Sequence, residues 1–170
     1  MKKILVVISM FAVLSGCEYF SKLNNIEYNN KVVEQVNLTS TQIEKTASIY
    51  NTTVPTVVTE STEISAEEMS TELSAAQDLL KKIEDLYILE SKNADQQAAV
   101  LAGLEVYKSK SEAYLAAYEA MNTYYGSGEY KTDVSKVTDL DENIHTTYSA
   151  FIEENNTLVG VLDSFVESET

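Results

Sequence analysis

The densest group of side chains that could do chemistry lies near the start of the last helical segment and comprises Asp139, Asp141, Glu142 and His145. Glu142 and His145 form a Glu-x-x-His pair, the helical unit that di-iron four-helix bundles use to bind metal. A dinuclear site needs this unit twice, and the chain has one histidine. A mononuclear carboxylate–histidine site is the remaining metal hypothesis. Because Asp and Glu are mostly surface residues, we interpret these four as a solvated helix flank and predict no metal and no other cofactor.

Tyrosines form the second candidate site, since the chain contains 11 of them, many at helical spacing. A tyrosine buries a large ring while its hydroxyl needs a partner or water. Such residues could line a cleft for an apolar or aromatic ligand. Aromatic stripes at helical spacing are more typical of a core, which is the interpretation we favour. The residues that would line the cleft are Tyr118, Tyr125, Tyr130 and Tyr148.

Composition excludes several classes of function. All 12 basic residues are lysines, and the formal net charge of −15 disfavours nucleic-acid binding, which needs a basic face. One cysteine cannot form an internal disulfide, and one cysteine with one histidine cannot complete a Cys/His zinc site. Any Ser-His-Asp or Cys-His centre would have to use His145, and no nucleotide-binding or hydrolase motif is present. We therefore predict no catalytic residues and no enzymatic activity.

The single cysteine has a different explanation in the first residues of the chain. Met1-Lys2-Lys3 is followed by an apolar run from Ile4 to Leu14, which is shorter than a membrane span and typical of a secretory signal. The sequence Leu14-Ser15-Gly16-Cys17 resembles the lipobox of bacterial lipoproteins, whose cysteine is acylated after the signal is cleaved before it. The alternative is an ordinary signal followed by a chance cysteine.

The lipobox resemblance implies a domain organisation and a location. Residues 1–16 would be the cleaved signal peptide, residues 17–21 a lipid-anchored tether, and residues 22–170 the folded domain. Loss of Lys2 and Lys3 makes the formal charge of the mature chain −17. In the sorting rule of Gram-negative lipoproteins, Glu18 after the cysteine favours the outer membrane, facing the periplasm. We therefore expect a cell-envelope protein held at the membrane through its N-terminal lipid.

Apolar residues spaced three and four apart predict helices through most of the mature chain. The first runs from about residue 22 to 52, with Ile26 and Val36 on its stripe, and a Thr-rich linker with Pro55 follows at about 51–62. A short strand in that linker is the alternative. Ser65 and Glu68 fit a capping box that begins the next helix.

Residues 66–125 contain no glycine or proline near Asn93 that would break a helix. One continuous helix would be roughly 90 Å long and would extend beyond its neighbours. Two helices separated near Asn93 match the others in length and can bury their apolar stripes. Gly126-Ser127-Gly128 ends this region, and a last stripe runs from Tyr130 through Val134 to Phe165. We predict an all-α fold, an antiparallel bundle of four long helices, with three helices including one very long one as the alternative.

Several short motifs resemble the YiiG-like lipoproteins, a bacterial family with a domain of unknown function. The motifs are Tyr28-Asn29-Asn30-Lys31, Tyr124-Tyr125, Tyr130-Lys131-Thr132-Asp133, and the final helix with Tyr148, Phe151, Leu158 and Leu162. The resemblance implies a helical lipoprotein and supplies no activity.

Charge and location together predict a non-enzymatic binding or structural module. An acidic body attracts cationic partners and is repelled by anionic lipid headgroups. A cationic protein is therefore the expected partner, alongside the membrane that holds the lipid on Cys17. The alternative is a small-ligand or metal carrier that uses the tyrosine cleft or the cluster from Asp139 to His145.

Overall fold

The computed structural model describes residues 22–167, which fold into four α-helices. They are α1 (Asn25–Thr53), α2 (Ala66–Lys81), α3 (Ala94–Gly126) and α4 (Val137–Glu167), with short 3-10 helices at Lys82–Leu86 and Glu129–Lys131. The only extended pairing in this part of the chain is an isolated bridge between Leu23 and Ser91. The predicted four-helix bundle is confirmed. The three-helix alternative and the strand in the Thr-rich linker are wrong, and that linker is an irregular loop over residues 54–65.

The break between α2 and α3 depends on local hydrogen bonds, since no glycine or proline causes it. The side chain of Asn93 caps α3 by accepting a hydrogen bond from the backbone N–H of Gln96 at 3.2 Å. One turn into α3, the amide of Gln97 donates to the carbonyl of Leu89 at 2.7 Å and accepts from the N–H of Ser91 at 2.8 Å. These bonds satisfy loop backbone groups that a continuous helix would have paired internally.

The helix starts differ in how they are capped. At α1, Asn24 and Glu27 form a reciprocal capping box, with a 2.8 Å bond from the Glu27 N–H to the Asn24 side chain. At α2 the helix begins at Ala66 as predicted, but the side chain of Ser65 makes no capping bond, so the predicted box is wrong. The chain is held there by Tyr130 instead, whose hydroxyl donates to the carbonyl of Thr62 at 2.8 Å and accepts from the N–H of Ile64 at 3.3 Å.

The core lies along the axis of the bundle, and α3 supplies its most continuous stripe. The α3 positions spaced three and four apart from Val100 onward are all buried: Val100, Leu104, Tyr107, Ser111, Tyr114, Tyr118, Met121 and Tyr125. Two predicted stripe members are exposed. Ile26 is 53% exposed because the buried face at the start of α1 is that of Tyr28 and Val32. Val134 is 39% exposed because it precedes the start of α4.

The helices alternate in direction, which gives the bundle two ends. At the Leu23 end, the start of α1 and the loop at 87–93 are joined by the bonds of Leu23 to Glu90 and Lys92, and the rings of Tyr28 and Phe165 are 5.4 Å apart. At the Tyr130 end, the loops at 54–65 and 127–136 meet through the bonds of Tyr130 described above. The Leu23 end and the Tyr130 end differ in their charged residues and in their exposed apolar residues.

Candidate functional site

The structure brings together two of the four polar residues predicted from sequence and adds a third. Asp141 lies on the first turn and a half of α4, where its carboxylate accepts a hydrogen bond from the hydroxyl of Tyr50 on α1. Nε2 of His145 is 3.4 Å from the same carboxylate, one turn along the helix. The rings of His145 and Tyr50 also meet at nearly a right angle, with centroids 6.2 Å apart. We call Tyr50, Asp141 and His145 the Asp141 cluster.

The electrostatics of the Asp141 cluster favour a hydrogen-bonded contact over a reactive one. Burial raises the pKa of Tyr50 well above its usual range, and the hydrogen bond and negative charge of Asp141 raise it further. The phenol therefore stays protonated and acts as a donor to the carboxylate. A nucleophile or general base needs the opposite shift, toward a lower pKa near the working pH. The arrangement ties α1 to α4 at a half-exposed position.

A metal ion finds too few ligands in this region. Asp139 and Glu142 are exposed, and only Asp141 and His145 make the close contact. Within residues 22–167, no group of three or more His, Cys, Asp or Glu side chains could hold a metal ion. The mononuclear metal hypothesis gains no support from this geometry.

The four predicted tyrosines are parts of two aromatic clusters in the core. Tyr118 is fully buried and its ring lies 6.1 Å from that of Tyr114, which also contacts the half-buried Tyr148 at 5.2 Å. Tyr125 and Tyr130 are buried at the other cluster, edge to face at 5.3 Å. The rings pack in the interior between helices. The cleft for a ligand stays a prediction.

A row of hydroxyl pairs, which the sequence reasoning missed, joins α1 to α3. Ser40 lies 2.8 Å from the hydroxyl of Tyr107, and Thr46 lies 2.9 Å from the hydroxyl of Tyr114. Ser40 also donates to Asn155 of α4 at 2.8 Å. Burial raises the pKa of Tyr107 to about 12, an effect that the bond to Ser40 partly offsets. The available signal was that Ser40 and Thr46 fall at helical spacing beside Val36 and Ile43, opposite a tyrosine stripe.

Two grooves on the surface have contrasting linings. The first, of about 370 Å³, lies between α2 and α3, with Leu80 and Leu115 as apolar floor and Glu84, Lys108 and Glu112 at its edge. Lys108 pairs with Glu84 at 3.0 Å and with Glu112 at 3.2 Å, so these charges satisfy one another. The second groove, also about 370 Å³, lies between α3 and α4 and is lined only by uncharged residues: Gln96, Ala99, Thr157, Gly160, Val161, Ser164 and Phe165.

Charge is distributed unevenly between the two ends of the bundle. Residues 54–68 and 126–142 at the Tyr130 end contain nine carboxylates and two lysines. Residues 22–28 and 86–97 at the Leu23 end contain three carboxylates and two lysines, and Asp163 and Glu167 lie near the end of α4. At the Tyr130 end, Lys131 pairs with Glu63 at 2.7 Å and Lys136 pairs with Glu129, which leaves most of its carboxylates without a lysine.

Cys17, the predicted lipidation site, lies outside the described residues, which begin at residue 22. Among the helices of residues 22–167, none is long and apolar enough to cross a membrane.

Comparison of this chain with family models, with curated proteins and with solved structures finds no match. The resemblance to the YiiG-like lipoproteins stays a prediction.

Proposed function

We propose that the protein is a cell-envelope lipoprotein, anchored through acyl chains on Cys17, that recruits a cationic protein partner through the acidic Tyr130 end without catalysing a reaction. The observation that carries this proposal is the position of the charge. The excess of carboxylates lies at the end of the bundle opposite Leu23, from which the chain leads back to Cys17. A module anchored at one end and strongly acidic at the other presents its charge away from the membrane.

The anchor rests on the lipobox-like sequence Leu14-Ser15-Gly16-Cys17 and the preceding charged and apolar segments. Buried acyl chains contribute about 0.8 kcal/mol per CH₂, and two or more chains hold a protein durably at a membrane. Glu18 then directs the protein to the outer membrane in a Gram-negative host. The absence of a membrane-crossing helix among residues 22–167 is compatible with a lipid as the means of attachment.

The acidic end supports recruitment because unpaired carboxylates create a long-range field. Fields of this kind raise association rates of oppositely charged partners by about 10-fold or more at low ionic strength, and salt screens them over roughly 8–10 Å. Asp139 and Glu142 contribute to this field as exposed side chains. In this proposal the two residues act through their negative charge, without binding a metal ion or a substrate.

A non-catalytic role agrees with the chemistry of the Asp141 cluster. Its tyrosine has a raised pKa and acts as a hydrogen-bond donor, so the cluster lacks an activated nucleophile. Its carboxylate and imidazole are half exposed, at 45% and 60%, and water competes for both. The cluster serves the packing of α1 on α4.

Cys17→Ser tests the anchor by cell fractionation combined with mass measurement of the mature protein. The wild type should sediment with membranes and carry an acyl mass on the peptide that starts at Cys17, and the variant should lose both. Membrane retention of the variant, or a wild-type chain without acyl mass, would disprove the lipid anchor.

A decalysine peptide tests the acidic end as a probe of cationic binding. Asp139→Asn with Glu142→Gln removes two charges there, and Glu34→Gln with Glu105→Gln removes two exposed charges from elsewhere on the bundle as the matched control. We expect the first pair to weaken binding several-fold more than the control. Raising the salt from about 0.03 M to about 0.5 M should abolish the difference. Equal weakening by both pairs, or binding independent of salt, would refute recruitment through the Tyr130 end.

A further inference from the structure

We propose that the Leu23 end is a membrane-docking surface that seats the bundle on the lipid bilayer, with Ile26 and Ile88 entering the boundary between headgroups and acyl chains. The inference rests on the proposed anchor at Cys17, and it assigns a lipid contact to residues of the folded domain. It gives the bundle a defined orientation, with the Tyr130 end pointing away from the membrane.

The length of chain between the anchor and the fold limits where the bundle can be. Five residues, 18–22, separate Cys17 from Leu23, and the backbone of Leu23 is fixed by hydrogen bonds to Glu90 at 2.8 Å and Lys92 at 2.9 Å. The six Cα-to-Cα steps from Cys17 to Leu23 span at most roughly 22 Å even when fully extended. The anchor and the Leu23 end therefore stay within the thickness of a headgroup layer and a few water layers of each other.

Two large aliphatic side chains are exposed at this end. Ile26, in the first turn of α1, is 53% exposed, and Ile88, in the loop before α3, is 58% exposed. Neither position is required by the core, whose face at the start of α1 is formed by Tyr28 and Val32. An aliphatic side chain exposed beside a lipid anchor gains by partitioning into the bilayer boundary, because its apolar area leaves water.

Hydrogen bonds hold together the two segments that carry the isoleucines. Ser91 donates to the buried side chain of Asn25 at 3.1 Å, and Asn25 donates to Gln96 at 3.4 Å. These bonds join the loop that carries Ile88 to the helix turn that carries Ile26. A surface ordered before binding loses less conformational freedom when it docks.

The distribution of charge orients the bundle in the same direction. The Leu23 end has fewer carboxylates than the Tyr130 end. Glu27 caps α1, Glu90 pairs with Lys22 at 3.7 Å, and the others are Asp95 and, near the end of α4, Asp163 and Glu167. The Tyr130 end, with its nine carboxylates, is repelled by anionic headgroups. The repulsion that we predicted between the acidic protein and anionic lipid headgroups therefore acts mainly on the Tyr130 end.

The composition of the chain provides clean probes for a test. It contains no tryptophan and one cysteine. Ile88→Trp places a single fluorescent reporter on the proposed surface, and Val57→Trp, at a loop position 73% exposed at the Tyr130 end, is the matched control. The chain from Cys17 onward, which keeps every described residue, is coupled through its thiol to a maleimide lipid. The vesicles are phosphatidylcholine with acyl chains brominated near the headgroup.

We expect Ile88→Trp to emit at shorter wavelength than Val57→Trp and to be quenched by the brominated lipid at least about threefold more strongly. Ile26→Trp, on the other side of the Leu23–Ser91 bridge, should behave like Ile88→Trp and serves as the second reporter if one variant fails to fold by circular dichroism. Unquenched emission from the folded reporters, or equal quenching at Val57→Trp, would overturn the proposal. Because coupling is chemical, this result is independent of whether cells acylate Cys17, and the acyl mass measurement tests the anchor separately.

Discussion

The buried hydroxyls of Tyr114 and Tyr118 provide a stringent test of how the core is held. The two tyrosines lie one turn apart on α3, both are fully buried, and each becomes phenylalanine by loss of one oxygen. The hydroxyl of Tyr114 is 2.9 Å from Thr46, whereas that of Tyr118 has no hydrogen-bond partner among the described residues. The same substitution should therefore change stability in opposite directions at the two positions.

The magnitudes follow from the cost of burying a polar group. Tyr118→Phe removes a desolvated hydroxyl that lacks a partner, which should raise the free energy of unfolding by about 1–2 kcal/mol. Tyr114→Phe removes one net hydrogen bond, worth about 0.5–1.5 kcal/mol. Thr46 keeps its bond to the carbonyl of Ile43 at 2.7 Å, so no new unsatisfied group is left and the loss stays in that range. The two variants should differ by about 1.5–3.5 kcal/mol.

Urea unfolding followed by far-ultraviolet circular dichroism measures this difference. The midpoint should rise for Tyr118→Phe and fall for Tyr114→Phe at an unchanged slope, and the melting temperatures should move apart by about 2–4 °C per kcal/mol. Because the rings, their burial and the change in the unfolded chain are matched, the hydroxyl contact is the remaining difference. A loss of stability in Tyr118→Phe equal to that in Tyr114→Phe would refute the assignment of these hydroxyls.

Three further predictions use the same unfolding assay. Gly160→Ala should raise the free energy of unfolding by about 1 kcal/mol, because a Cβ at this helical position meets no atom within 4 Å. Gly128→Ala should lower it by about 1 kcal/mol, because its φ of +73° is unfavourable for a residue with a Cβ. Equal effects of the two substitutions would contradict this. Asn24→Ala should cost about 1 kcal/mol and Ser65→Ala almost nothing, since of these two residues Asn24 alone makes a capping bond. An equal loss would show that Ser65 caps. Burial raises the pKa of Tyr107 from 10.0 to about 12, so the unfolded chain loses this phenolic proton at lower pH than the folded chain does. The free energy of unfolding should therefore fall above pH 10, by about 1.4 kcal/mol per pH unit for each such tyrosine. A constant urea midpoint up to pH 12 would contradict this prediction.

Helix periodicity predicted most of the fold because it depends on local sequence. The α3 stripe from Val100 to Tyr125 is buried throughout, and the stop at Gly126-Ser127-Gly128 is the end of α3. The predictions that Ile26 is buried and that Ser65 caps α2 were wrong for the same reason. Each residue lies at a helix end, where its contacts depend on which other part of the chain packs against it. At the start of α2 it is Tyr130 that makes hydrogen bonds to the backbone of residues 62 and 64. The sequence around Ser65 does not indicate a partner 65 residues away.

In the candidate sites, too, contacts within one helix could be predicted from the sequence and contacts between helices could not. Asp141 and His145 could be paired from their spacing of four on a helix. Tyr50 could not be added, because it lies 91 residues away on α1 and meets Asp141 only when α1 packs on α4. The Ser40–Tyr107 and Thr46–Tyr114 contacts likewise join residues 67 and 68 positions apart. Ser40 is a polar residue in the apolar stripe of α1, and only the packed structure shows it to be a buried partner for a tyrosine hydroxyl.

The sequence by itself determined the all-helical class, the lengths that favour four helices over three, the excess of negative charge, and the lipobox-like segment ending at Cys17. These follow from local spacing and composition, which need no knowledge of how the chain packs. Only the tertiary structure decided that nine of the carboxylates gather at the Tyr130 end and that Ile26 and Ile88 are both exposed at the other. The reason is that the polarity of a bundle comes from which loops meet at each end, and that is a property of the packed helices.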